Sequence, residues 1–134
     1  YFPQLKELGQ ASPAEPYLDL RWSSLLKSLD ELAASAGKPV LMMEFGVRSV
    51  TEGANETAVG AGPASAQLQL QYYRAFAQAL EHRRAAGNNQ PDAFGGFFAW
   101  KWSARPSSGG TMDRSFDLRG KPAAQILPSL APVQ

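Results

Sequence analysis

The chain has 134 residues, with 13 lysines and arginines against 12 aspartates and glutamates and a net charge of +1. Its 44% hydrophobic and 19% charged content belongs to a chain with a core rather than to a disordered one. A near-neutral charge without a basic run excludes nucleic acid and anionic membrane as expected partners, and the lack of cysteine excludes disulfides and thiolate metal sites. A lone histidine, His82, leaves no ordinary zinc site, so no metal or cofactor is expected. No segment reaches the roughly 18 apolar residues of a membrane helix. Residues 1–20 lack a basic, then apolar, export pattern, which places any export signal upstream.

In chain order, Trp22, Leu25, Leu26, Leu29, Leu32, Ala33 and Ala36 recur at helical spacing and predict a helix over 19–36, opened by Pro16 or Asp19 and stopped by Gly37. A strand over 39–45 follows almost at once. Residues 46–63 are polar and glycine-rich and read as a loop. A second helix is predicted over 64–86, with Leu68, Tyr72, Ala75, Phe76, Ala79 and Leu80 on one face. The aromatic run Phe94-Gly-Gly-Phe-Phe-Ala-Trp-Lys-Trp102 predicts a second strand, and 103–120 a second long loop. A short helix then starts near Lys121, with Pro122 in its first turn, and ends by Pro128. There is no internal repeat.

The order helix, strand, helix, strand, helix is that of β/α units around a parallel sheet, an α/β fold in a single domain over 1–134. The connection into the first strand is short, whereas both loops leaving strand ends are long. Long loops on the carboxyl side of parallel strands are where a barrel enzyme builds its substrate site. Length alone equally fits surface insertions without a ligand.

The first strand ends in a charge. In Pro39-Val-Leu-Met-Met-Glu-Phe-Gly46, Glu44 closes a run otherwise apolar enough to be buried, and Gly46 breaks it. A carboxylate in such a setting is paired or has chemistry to do, because desolvating it is costly. The carboxyl end of a parallel strand is also where α/β proteins gather catalytic groups. The structural alternative is an ion pair with Arg48 or Lys101.

Beyond these physical arguments, Lys38-Pro-Val-Leu-Met-Met-Glu-Phe-Gly-Val-Arg-Ser49 resembles the seventh strand of clan A retaining glycoside hydrolases, above all the family 113 beta-mannanases. In those enzymes a strand of this form ends in the catalytic nucleophile. Tyr1-Phe-Pro resembles the end of their sixth strand, Gln71-Tyr-Tyr-Arg-Ala-Phe their seventh helix, and Gly96-Phe-Phe-Ala-Trp-Lys-Trp-Ser103 their eighth strand. Arg119-Gly-Lys-Pro-Ala-Ala resembles the opening of their last helix. Val47 stands where a tyrosine is usual in those enzymes, and Ala99 where an aromatic is usual.

The resemblance implies a partial (β/α)8 TIM barrel, from about the end of strand 6 through helix 8, since a whole barrel takes about 250 residues. It implies a glycosidase acting on an oligo- or polysaccharide, mannan-like first and glucan-like second, with Glu44 as nucleophile. The acid/base residue would lie in the missing N-terminal half of the barrel, leaving the chain inactive alone. It also implies a secreted or periplasmic protein. The alternative is a non-catalytic carbohydrate-binding or scaffold descendant of the same barrel.

By the same resemblance Tyr1 would donate its hydroxyl to the nucleophile, or else be a frayed terminal aromatic. Trp100 and Trp102, two apart in the expected strand, would face the same side and offer rings for sugar stacking, with core packing as the alternative. Arg48 and Ser49 would contact sugar hydroxyls or a structural ion-pair partner. His82, beside Arg83 and Arg84, is expected in solvent. The mixed charges of Asp113, Arg114, Asp117 and Arg119 lack metal-site spacing.

Overall fold

The computed structural model describes residues 15–51, 62–87 and 93–130. Their elements are α1 (Glu15–Ala36), β1 (Val40–Phe45), α2 (Ala66–Ala85), β2 (Phe94–Ala99), a 3-10 helix (Pro122–Ile126) and a last turn, α3 (Leu127–Leu130). None of the described helices is long and apolar enough to cross a membrane. Tyr1 and most of the first long loop lie outside the described residues.

Helix α1 ends as its sequence dictates. Gly37 takes φ +61°, and the Lys38 N–H turns back to the Ala33 carbonyl at 3.3 Å, the glycine-dependent closure of a helix C-terminus. Its inward stripe is Trp22, Leu26 and Ala33, while Leu32, roughly 80° around the helix from Trp22, is exposed. Helix α2 opens on Ser65, whose hydroxyl accepts the Leu68 N–H at 3.3 Å. All six apolar residues expected on its inner face are buried. Gln69, Leu70, Tyr73 and Ala77 are buried as well, because α1 and the 3-10 helix cover further sides of α2.

The two helices are tied by charge as well as by packing. Arg83 donates both Nε and Nη2 to the Asp30 carboxylate, at 2.8 and 2.7 Å, and the Phe94 N–H donates to the same carboxylate at 3.1 Å. Asp30 therefore joins α1, α2 and the start of β2 in one contact.

Strands β1 and β2 pair in parallel, Val40 opposite Phe94, Leu41 opposite Gly96, Met42 opposite Phe97 and Phe45 opposite Ala99, with two shifts of register. A parallel pair needs a crossover, and α2 supplies it. The helices cover one sheet face, and the core lies between. Phe45 is its hub, contacting the rings of Trp22 (5.5 Å), Tyr73 (4.8 Å), Phe76 (4.4 Å, stacked) and Phe97 (5.4 Å).

Two expectations need correction. The run 39–45 is not buried throughout. Among the described residues β1 has β2 as its neighbour on one side and nothing over its second face, so Leu41, Met43 and Glu44 are exposed, Met43 by 67%. The second strand also stops at Ala99 rather than Trp102. Beyond it the backbone pairs with the following loop, the Lys101 N–H donating to the Phe116 carbonyl and the Leu118 N–H to the Lys101 carbonyl. The Trp100–Lys101 peptide is cis. Because β2 ends at Ala99, strand alternation does not govern how Trp100 and Trp102 are disposed.

Phe45→Ala should cost about 3–5 kcal/mol of stability, since it removes the ring that all the others touch. A urea-unfolding midpoint no lower than that of the parent would contradict the hub assignment.

Candidate active site

The carboxyl ends of β1 and β2 are brought into contact by a glycine. The Trp100 N–H donates to the Phe45 carbonyl at 2.6 Å, and a Cβ on Gly46 would lie 1.8 Å from the Trp100 carbonyl oxygen. No other residue fits there. Glu44 and Trp100 thus flank one crossing point, with Phe45 locked beneath it in the aromatic core. Glu44 is exposed, and among the described residues no hydrogen bond or ion pair engages its carboxylate, so the alternative of an ion pair with Arg48 or Lys101 is not formed there. Trp100 and Trp102 are exposed by 45% and 57%, which rules out ordinary core packing for either within the described residues.

Behind this edge the two long loops are joined by buried polar groups. The ammonium of Lys121, whose side chain is fully buried, donates to the Ser49 hydroxyl (2.7 Å), the Asp113 carboxylate (2.8 Å) and the Ser115 carbonyl (3.0 Å). Its three protons are all used, which is what allows an ammonium to be buried. Ser49, fully buried, in turn donates to the Asp113 or Ser115 carbonyl. From α2, the Gln69 side-chain amide donates to the Val47 carbonyl at 2.8 Å and to the Phe116 carbonyl at 3.4 Å. Arg48 Nε donates to the Arg114 carbonyl at 3.2 Å.

The carboxylates of the second loop are tuned by these contacts. Burial alone would raise Asp113, but hydrogen bonds from Lys121 and Ser115, with the charge of Lys121, hold it down at about 2 instead of 3.8. Burial likewise pushes Asp117 upward. It is outweighed by hydrogen bonds from the Ser108 hydroxyl and the Arg119 and Ser103 N–H groups, so Asp117 also sits below the usual carboxylate range.

The family model for Glycoside Hydrolase Family 113 matches residues 4–121. The chain belongs to that family. It is a TIM-barrel family, and the helix-covered parallel pair is consistent with that fold. Among solved structures the chain is similar to the GH113 beta-mannanase AaManA from Alicyclobacillus acidocaldarius in complex with ManMIm. The match has 23% identity and a TM-score of 0.62, covering 89% of this chain and 37% of that one. It is also similar to a GH113 beta-1,4-mannanase, at 21% identity and a TM-score of 0.66, over 90% of this chain and 36% of that one. At these identities the likeness speaks for the fold, and the chain spans a little over a third of the length of either structure. No curated protein matches it.

For this family 113 chain, the structure brings Glu44 and Trp100 together at one edge, with Trp102 two residues beyond. It places Arg48 against the neighbouring loop. Tyr1 lies outside the described residues. Ser49, expected as a possible sugar contact, is enclosed by Lys121 and the second loop and presents nothing to solvent. Sequence reasoning missed Lys121 and Gln69, whose buried roles have no periodic signal, and the pairing of Arg119 with Trp102 across 17 positions of chain.

Two outcomes follow from the loop geometry. Gly46→Ala must push the Trp100 backbone aside and should cost about 1–3 kcal/mol or more, seen as a lowered thermal midpoint. For Asp113, the folded value lies below the unfolded one, so its contribution to stability is complete above pH 3.8 and is lost as pH falls through about 2. The stability gap between the parent and Asp113→Asn should therefore narrow over that interval. A gap that stays constant in thermal melts from pH 5 to pH 2 would remove Asp113 from the polar network around Lys121.

Proposed function

We propose that this chain is the carboxyl-terminal part of a retaining (β/α)8 glycoside hydrolase, from about the end of strand 6 through helix 8. It acts on a β-linked polysaccharide, β-mannan first and glucan second, with Glu44 as the nucleophile. The observation that carries this reading is the state of Glu44. Its neighbour Phe45 is locked into the core, while the carboxylate stands exposed at the carboxyl end of a parallel strand and, among the described residues, meets no partner. Membership of a glycoside hydrolase family and the mannanase names of the similar structures support the substrate class.

The chemistry asks for a carboxylate of this kind. In a retaining reaction an oxygen of Glu44 attacks the anomeric carbon as the bond to the leaving oxygen breaks, and a second carboxyl group protonates that oxygen. Water, deprotonated by the second group, then releases the sugar from Glu44. The nucleophile must be ionised and rigid. Rigidity comes from Phe45 and from the Gly46–Trp100 crossing. Trp100 and Trp102 offer apolar rings to the C–H faces of sugars, and Tyr1 and Arg48 offer donors to the nucleophile and to sugar hydroxyls.

The second carboxyl must lie about 5 Å from the first. Asp113 and Asp117 belong to the second loop but are committed to Lys121, Ser115, Ser108 and backbone N–H groups. The resemblance to clan A glycoside hydrolases implies an acid/base residue on strand 4 of a preceding half of the barrel, and on that reading the 134-residue chain alone is inactive. The uncovered sheet face, with Leu41, Met43 and Phe98, is where the preceding strands close the barrel. Left open, such an edge and face promote association. Sedimentation of the isolated chain should show self-association, and a stable cooperative monomer would favour a self-sufficient small domain instead.

The decisive test uses the longer protein. Glu44→Gln should lower β-mannan hydrolysis by several orders of magnitude, on the scale of essential nucleophiles, with folding little changed. Near-normal hydrolysis would remove Glu44 from catalysis. A parent that binds mannan oligosaccharides but hydrolyses none would establish the non-catalytic binding module.

A further inference from the structure

Trp102 is largely exposed, yet its ring is braced from one side. The Arg119 guanidinium carbon lies over the indole, 5.7 Å from the ring centroid. That guanidinium is itself fixed, because Nη1 donates to the Arg105 carbonyl at 2.9 Å and Nη2 to the Ser103 carbonyl. The Arg119 backbone N–H donates to the Asp117 carboxylate at 3.1 Å, and Asp117, 1% exposed, also accepts the Ser103 N–H at 3.4 Å. Ser103, the residue next to Trp102, is thus held at its N–H by Asp117 and at its carbonyl by Arg119. Among the described residues the indole N–H has no partner of its own.

We propose that Arg119 is the positioning residue of a sugar platform at Trp102. It covers one indole face and anchors the backbone at Ser103, so a pyranose ring of a β-linked oligosaccharide is held on the opposite face. A flat apolar ring serves a sugar best when it is already immobile, because ordering a mobile side chain on binding subtracts from affinity. Arg119 is suited to the task by its planar fork, which reaches two carbonyls while its charged carbon stays over the ring, as a lysine ammonium cannot. It touches no reacting atom and acts through Trp102.

The inference rests on the sugar-binding reading above, and the experiment separates the two. In the longer protein carrying Glu44→Gln, affinity for β-1,4-mannohexaose is measured by calorimetry for Arg119→Ala, Arg119→Lys, Trp102→Ala and the double variant Arg119→Ala/Trp102→Ala. Arg119→Ala should weaken binding about tenfold, Arg119→Lys by a similar factor despite its retained charge, and the double variant no more than Trp102→Ala alone. With Glu44 restored, the loss should fall mainly on KM. Should Arg119→Ala fold poorly, Arg119→Lys carries the same comparison, with its thermal midpoint checked. Losses that multiply in the double variant, or unchanged affinity in both single Arg119 variants, overturn the platform while leaving the sugar reading intact. A Glu44→Gln parent that binds neither mannohexaose nor the β-1,4-linked glucose hexamer overturns both. Fluorescence anisotropy of Trp102, taken by difference from Trp102→Phe, should fall in Arg119→Ala, and an unchanged value overturns the bracing of the ring whatever the sugar affinity.

Discussion

The arrangement depends on one side chain, Phe45, which meets the rings of Trp22, Tyr73, Phe76 and Phe97 and so connects β1 to both long helices and to β2. Removing a ring of this size from water stabilises by about 1.5–3 kcal/mol, and edge-to-face contacts add to that. The consequence reaches the next residue. Because Phe45 is held on the helix side of the sheet, the exposed carboxylate of Glu44 is carried by a backbone that cannot shift without disturbing the core.

The second support is polar. The loops leaving β1 and β2 contain few large apolar residues and cannot form a core of their own. They are joined instead by Lys121, Ser49 and Asp113 and by Gln69 reaching up from α2, while Asp117 and Arg119 brace the second loop internally. Such networks are costly if incomplete and rigid when every donor is used. Lys121 uses all three of its protons, and the Gln69 amide reaches a carbonyl in each loop. The edge that carries Glu44, Trp100 and Trp102 is therefore backed by directed bonds rather than by bulk packing.

The two faces of the sheet differ in the same sense. One is filled by α1 and α2, and the other shows Leu41, Met43 and Phe98. An apolar sheet face is stable when something covers it. That imbalance accords with a chain that spans a little over a third of the length of the mannanases it resembles. On the proposed reading, the strands that cover this face and the second carboxyl group belong to the same preceding part of the barrel.

The sequence by itself determined the order of the elements, the parallel pair, the buried face of α2, the stop at Gly37 and the singular position of Glu44. Each is a local pattern, set by a period of 3.6 or 2, by a glycine, or by one charge in an apolar run. Its motifs also indicated the family. Tertiary structure alone decided where β2 ends, because the Lys101 backbone found partners in the 116–118 segment instead of the sheet. It alone decided that Ser49 is enclosed while Glu44 is exposed, and that Arg119 lies over Trp102. Those outcomes depend on which distant groups satisfy a buried donor or cover a ring, and no periodicity along the chain encodes a contact between residues that meet only after the helices have packed.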